Sequence, residues 1–169
     1  MFVSSKELYR AAREKNFAFP AANFVDQLSA SAHIAVAEKL GLPLVLAFAQ
    51  VHQQFLSFDE AIAIGQYYAE SAKVPVVLHL DHGATPEVIK KAVDLGFSSV
   101  MIDASMESFD ENVRRTREII DYAHKSGVVV EAEIGHVGVG HNVGVSESAA
   151  ADDSRYTAVE DAKAFAEAT

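Results

Sequence analysis

The chain has 169 residues, half of them hydrophobic, a formal net charge of −10 at pH 7 and no cysteine. This composition predicts one globular unit, and the acidic balance argues against a nucleic-acid surface, which needs clustered Lys and Arg. Without cysteine there are no disulfides or thiolate ligands, so any metal must be held by His, Asp and Glu. The first residues lack a signal-peptide pattern and no long apolar run occurs, so we expect a cytoplasmic protein.

Short apolar runs alternate with amphipathic segments along the whole chain. The runs are continuous rather than alternating in polarity, which is typical of parallel strands buried on both faces. Helical spacing in the segments between them predicts a crossover helix before each strand after the first. The five predicted strands are residues 17–23, 43–49, 74–80, 98–102 and 128–134.

Local residues mark where the predicted helices begin and end. Residues 26–40 carry an apolar stripe and stop at Gly41, a common helix exit. Ser57, followed three residues later by Glu, predicts the start of the next helix, and Thr85 before a proline predicts another. A further helix is predicted over 110–126. The stripe consists of Leu28, Ala32, Ala35, Val36 and Leu40.

Five successive β/α units are compatible with a doubly wound open sheet or with a (β/α)₈ TIM barrel, and periodicity does not separate the two. A complete barrel needs about 200 residues or more. As a barrel, the chain supplies about the first five β/α units, and we expect residues 1–169 to form a single partial-barrel domain in which strands 6 to 8 are absent. Its open edges would have to be completed by another chain or by a longer sequence.

The densest polar cluster ends the third predicted strand, in the run HLDHG at 79–83. Strand alternation predicts that His79 and Asp81 share one face and that His82 points to the other. Catalytic residues occur at the C-terminal mouth of parallel barrels, which favours a functional cluster. The alternative is that one His and the Asp only satisfy turn amides.

Acidic and amide side chains also end other predicted strands. Glu131 and Glu133 lie two residues apart and therefore on one strand face, and buried carboxylates need a partner because desolvation raises their pKa. That partner is a metal, a cation or a polar network, or a Lys or Arg salt bridge for one of the pair. Asp103 ends the fourth strand or caps the next helix, and Asn23 ends the first, where it orients substrate or stabilises a turn.

Four segments occur in a fixed order: HLDHG at 79–83, VMIDAS at 100–105, ENV at 111–113 and VEAEIG at 130–135. Each is short, but the combination is specific. Together they closely resemble class II fructose- and tagatose-bisphosphate aldolases. The resemblance implies a (β/α)₈ barrel and a zinc-dependent lyase that reversibly cleaves a ketose bisphosphate, or a related phosphorylated ketose, to dihydroxyacetone phosphate and an aldehyde.

The same resemblance implies roles for individual residues. Asp81 is similar to the acid/base that moves the hydroxyl proton at the cleaved carbon, and Asn23 to the family's strand-one amide, which suggests substrate binding. His82 resembles the first zinc-binding imidazole, and Asp103 and Glu133 resemble carboxylates that hold the metal in a second position. Zinc would polarise the ketone and stabilise the enediolate, so no Schiff-base lysine is needed. A second divalent or a monovalent cation is a further possibility.

Two positions depart from the family pattern. The loop at 135–147 lacks the usual acidic group, and Glu147, His136 or His141 are candidate replacements. Ala49 stands where many relatives have serine, so the identity of the substrate is left open. The remaining zinc ligands and the phosphate site would follow residue 169.

Two other functions remain as alternatives to the aldolase hypothesis. One is a catalytically silent fragment or paralogue that acts through assembly, and the other is a different metal-dependent barrel enzyme, such as a hydrolase. Because relatives are usually dimers or tetramers, we also expect a homo-oligomer.

Overall fold

The sheet has five parallel strands in the order β1-β2-β3-β4-β5. The structure is a computed structural model and describes residues 1–135 and 157–169. The strands are β1 (Ala21–Asn23), β2 (Leu44–Ala49), β3 (Val76–Gly83), β4 (Ser99–Ile102) and β5 (Val129–Ala132). The helices are α1 (Ser5–Lys15), α2 (Gln27–Leu40), α3 (Phe58–Ser71), α4 (Pro86–Leu95), α5 (Phe109–Ala123) and α6 (Val159–Ala168). Among the described helices, none is long and apolar enough to span a bilayer.

The strand order decides between the two predicted architectures. Each strand pairs with the next strand along the chain, in parallel, from β1 to β5. A doubly wound sheet reverses its strand order at a switch point, whereas a (β/α)₈ barrel does not. The order therefore matches the barrel, and all carboxyl ends of the strands lie at one mouth.

Side-chain signals in the sequence set most helix ends. Asp26 and Ser57 each form a capping box with the residue three positions later, at the starts of α2 and α3. Thr85 caps α4, which has proline in its first turn. Gly41 and Gly96 end α2 and α4 in the left-handed conformation. The helix starts predicted at Ser57 and Thr85 are thus confirmed.

The main core lies between the sheet and its helices. Phe58 packs edge-to-face on Phe48, with ring centroids 5.8 Å apart, and on Phe97, at 6.2 Å. A smaller cluster on the other face of the sheet joins Leu8 of α1 to Val77 near the start of β3. Helix α1, which the sequence analysis does not assign, thus covers this face at the end opposite the carboxyl mouth.

The predicted apolar stripe of α2 does not face the core. Leu28, Val36 and Leu40 are 76%, 57% and 62% exposed, while Ile34 is 6% exposed. The buried face carries two alanines beside Ile34, so a stripe drawn mainly through Leu and Val marks the wrong face. The buried residues of α2 are Ala30, Ile34 and Ala37.

The start of the first strand and the end of the third differ most from prediction. The first strand covers only Ala21–Asn23, because residues 17–20 connect it to α1 and the Phe17 N–H bonds back to the Ala12 carbonyl of that helix. The third strand continues to Gly83. It therefore carries the HLDHG run to its last residue, which places the run at the mouth.

Candidate metal and acid–base site

His82 lies on the same side of the mouth as Asp81, although alternation predicts the opposite. The pairing of β3 with β4 shifts register between Leu80 and Gly83, and His82 has φ 49°. A left-handed residue interrupts the extended backbone on which alternation depends. His82 Nε2 consequently lies 3.9 Å from Asp81 Oδ1. The predicted orientation of His82 was therefore wrong, and the correction brings it into the site.

Close packing at Gly83 holds this irregular strand end in place. A Cβ added at Gly83 would contact the Ile89 side chain and lie 2.6 Å from the Met101 carbonyl oxygen, so only glycine fits. The next residue, Ala84, donates its N–H to Gln50 Oε1 over 2.7 Å. The turn that carries His82 is therefore fixed from both the β4 and the β2 sides.

Asp103, at the end of β4, holds the His82 ring. Its Oδ2 lies 2.9 Å from His82 Nδ1, and its Oδ1 accepts hydrogen bonds from the N–H and hydroxyl of Ser105. The hydrogen bond to Asp103 raises the pKa of His82, and the nearby carboxylate of Asp81 adds to the effect. Partial burial raises the pKa of Asp103, but its hydrogen bonds outweigh burial and leave that pKa below the usual value.

Glu133 completes a group of possible metal ligands. One ligand atom each from His82, Asp103 and Glu133 lies within 4.8 Å of the other two. The three residues come from the ends of β3, β4 and β5, which parallel pairing places side by side. An imidazole nitrogen with two carboxylate oxygens is a donor set that suits zinc. The residues present thus fit a divalent metal by donor chemistry and by spacing.

Asn23 fixes the other side of Asp81. Its Nδ2 donates to Asp81 Oδ2 over 2.8 Å, and its own carbonyl oxygen lies 3.1 Å from His33 Nε2. The contact joins β1 to β3 across β2, so the barrel winding brings these residues together. With Oδ2 occupied by the amide, Asp81 Oδ1 faces His82 and remains able to accept a proton. The predicted residues Asn23, Asp81, His82, Asp103 and Glu133 therefore lie at one mouth.

A second polar layer lies one step deeper on the same face of the sheet. His79 is 5% exposed, and its Nδ1 lies 2.9 Å from Ser99 Oγ. Burial lowers the pKa of His79 to about 4, although Asp81 opposes the effect, so this ring is neutral at pH 7. Glu131 Oε2 lies 3.7 Å from His79 Nε2, and burial together with Asp81 raises the pKa of Glu131. Because His79 is neutral and 3.7 Å exceeds hydrogen-bond distance, the two side chains form no ion pair, and the Glu131 side chain is half exposed. Within the described residues, no Lys or Arg pairs with Glu131 either.

His136, His141 and Glu147 lie outside the described residues. Ser105, which braces Asp103, was not singled out from the sequence, although an Asp followed two residues later by Ser is a recognisable turn pattern. Ser99 was also missed, because its contact with His79 depends on strand register.

Comparisons with known proteins identify related sequences and folds. A family model described as fructose-bisphosphate aldolase class-II matches residues 3–169. A 6-phospho-5-dehydro-2-deoxy-D-gluconate aldolase of Bacillus subtilis is 42% identical over 140 residues, which cover 81% of this chain and 48% of that protein. A fructose-bisphosphate aldolase of Thermus caldophilus is 36% identical over 170 residues, which cover 100% of this chain and 54% of the relative.

A solved structure extends the comparison to three dimensions. The YdjI aldolase from Escherichia coli K12 matches with a TM-score of 0.82 and 29% identity, over 99% of this chain and 57% of the other. The chain spans about half the length of the curated relatives it matches. Its five parallel β/α units correspond to part of a (β/α)₈ barrel. From the family match, the strand order and this structural likeness, we conclude that the chain belongs to the class II fructose-bisphosphate aldolase family.

Proposed function

We propose that the protein to which this chain belongs is a metal-dependent aldolase that reversibly cleaves a phosphorylated ketose to dihydroxyacetone phosphate and an aldehyde. The observation that carries the proposal is that the Asp81 carboxylate lies 3.9 Å from His82, which belongs to a group of possible metal ligands. Relatives are named for fructose bisphosphate and for 6-phospho-5-dehydro-2-deoxy-D-gluconate. Both names denote phosphorylated keto compounds, which supports that substrate class.

The proposed metal is zinc, with His82, Asp103 and Glu133 as its ligands in this chain. When bound, zinc supplies Lewis-acid polarisation of the substrate ketone. The hydrogen bond from His82 Nδ1–H to Asp103 leaves Nε2 as the free ligand atom, a common arrangement around metal-binding histidines. Asp103 orients His82 in this structure, and as a ligand it would exchange that contact for the ion.

Asp81 is the proposed acid/base. In the cleavage direction its carboxylate accepts the hydroxyl proton at the carbon where the bond breaks, and in the condensation direction it returns that proton. The Asn23 amide holds one carboxylate oxygen and leaves the other toward the mouth. We also propose that Asn23 contacts the substrate from this position.

Three further expectations belong to this proposal. Residues 1–169 are proposed to act as one partial-barrel domain, to which other β/α units contribute the remaining ligands and the phosphate site. A homo-oligomer and a cytoplasmic location are proposed as well.

The activity is best tested in a chimera in which this chain replaces the aligned half of the Thermus caldophilus relative. With zinc added, we expect retro-aldol cleavage of fructose bisphosphate, and Asp81→Asn should lower kcat by about 10²- to 10⁴-fold, as removal of a general acid/base does. Zinc content should stay unchanged. Asp59→Asn, at an exposed acid of α3, is the matched control. A folded, zinc-loaded chimera whose activity does not respond to Asp81→Asn would contradict the proposed role.

A further inference from the structure

A buried amide of α5 binds the main chain at Glu133. Asn112 is 3% exposed, and its Nδ2 donates to the Glu133 carbonyl oxygen over 2.7 Å. Its Oδ1 accepts from Thr116 Oγ1 over 3.2 Å. A carbonyl oxygen can only accept, so the amide nitrogen has to face Glu133, and the Thr116 hydroxyl is left to donate to the other side. Each end of the Asn112 amide therefore has a hydrogen-bond partner.

Asn112 lies on α5 beside the end of β5. The strand ladder stops at Ala132, so the carbonyl of Glu133 lies beyond the paired residues of the strand. The buried face of α5 is polar at Asn112 and Thr116 and becomes apolar at Ile119 and Ala123. A buried amide costs free energy unless it is fully hydrogen-bonded. The polar pair thus lies where a strand end needs a donor, and the rest of that face packs as ordinary core.

We propose that Asn112 is a positioning residue for the metal site: by holding the backbone at Glu133, it keeps the Glu133 carboxylate in the ligand group with His82 and Asp103. This inference rests on the proposed metal site. Metal ligands tolerate deviations of only about 0.2 Å from ideal distances. A strand end that nothing holds in place would leave its carboxylate in a wider range of positions than this tolerance allows. Asn112 acts through Glu133 and does not touch the ion.

The test measures zinc affinity of the full chain by competition with a chromophoric chelator, with folding followed by circular dichroism. Asn112→Leu keeps the branched shape of the side chain but removes the donor, and Asn112→Ser is a smaller polar second variant. We expect each to weaken zinc binding by about 10- to 100-fold, as loss of outer-shell partners does. Ile119→Val, on the same buried face of α5, is the matched control and should leave zinc affinity at the wild-type value.

A double-mutant comparison separates positioning from a general effect on the fold. In a Glu133→Gln background, which itself weakens zinc binding, Asn112→Leu should have no further effect, because its route to the metal is already lost. Wild-type affinity in both Asn112 variants, or an equal loss in the two backgrounds, would overturn the positioning role while leaving the metal site in place. A wild-type chain that binds no zinc, or that Glu133→Gln leaves unchanged, would overturn the proposed metal site and this role with it.

Discussion

At the scale of single residues, the two histidines of the HLDHG run differ in protonation and therefore in the roles they can take. His79 is buried, and burial lowers its pKa to about 4, so the ring is neutral at pH 7. His82 is more exposed, and its hydrogen bond to Asp103 raises its pKa. Zinc binds the neutral ring and competes with its second proton, so zinc affinity should fall with decreasing pH, and this should begin at a higher pH than for an ordinary histidine. His79, held by Ser99, suits a packing role.

The lowered pKa of His79 predicts a pH dependence of stability. An unfolded histidine takes up a proton near pH 6.5, whereas folded His79 stays neutral down to about pH 4. Between these values the unfolded chain binds more protons, so His79 makes the free energy of unfolding fall as the pH falls through this window. The full loss is about 3 kcal/mol and is absent above pH 6.5.

Urea unfolding of the wild type and of His79→Gln, measured at several pH values from 7 to 4, checks this expectation. The variant should lose less stability than the wild type over the same interval. Other titrating groups act in both proteins, so the difference between the two curves isolates His79. Parallel curves would contradict the buried, neutral state of this ring.

At the scale of elements, α2 provides a test of which helix face packs on the sheet. Ile34 is 6% exposed, so Ile34→Ala should lower the free energy of unfolding by about 2–5 kcal/mol, the range for truncation of a buried aliphatic side chain. Leu28→Ala, on the 76% exposed face, should change it by no more than about 0.5 kcal/mol. Denaturant titration of both variants makes the comparison. A larger loss of stability for Leu28→Ala than for Ile34→Ala would mean that the face predicted from periodicity packs on the sheet.

The elements also show what the sequence can and cannot predict. Continuous apolar runs and capping residues such as Ser57 are local, so strands and helix starts were predicted from short windows. The orientation of His82 depends on a register shift with β4, and the contact of Asn23 with Asp81 joins residues 58 positions apart. Such features arise from tertiary packing. Strand ends were enough to locate the site, but their chemical roles came from the family resemblance.

At the scale of the whole molecule, barrel winding concentrates negative charge at one mouth. Four carboxylates, those of Asp81, Asp103, Glu131 and Glu133, lie at or near the carboxyl ends of three neighbouring parallel strands. The chain already carries a net charge of −10, so this grouping is electrostatically unfavourable without a cation. A bound divalent ion would offset part of this repulsion and stabilise the folded chain. We therefore propose that strand ends from β3, β4 and β5 hold one metal ion.

The most direct test of this claim is a calorimetric titration of the metal-free chain with zinc, made in parallel on His82→Asn and on His124→Asn. Asn tolerates the left-handed backbone at position 82, and His124 is an exposed histidine away from the mouth. We predict one zinc per chain in the wild type and in His124→Asn, and a loss of at least about tenfold in affinity in His82→Asn. No zinc binding by the folded wild type, or equal binding by all three proteins, would contradict the account.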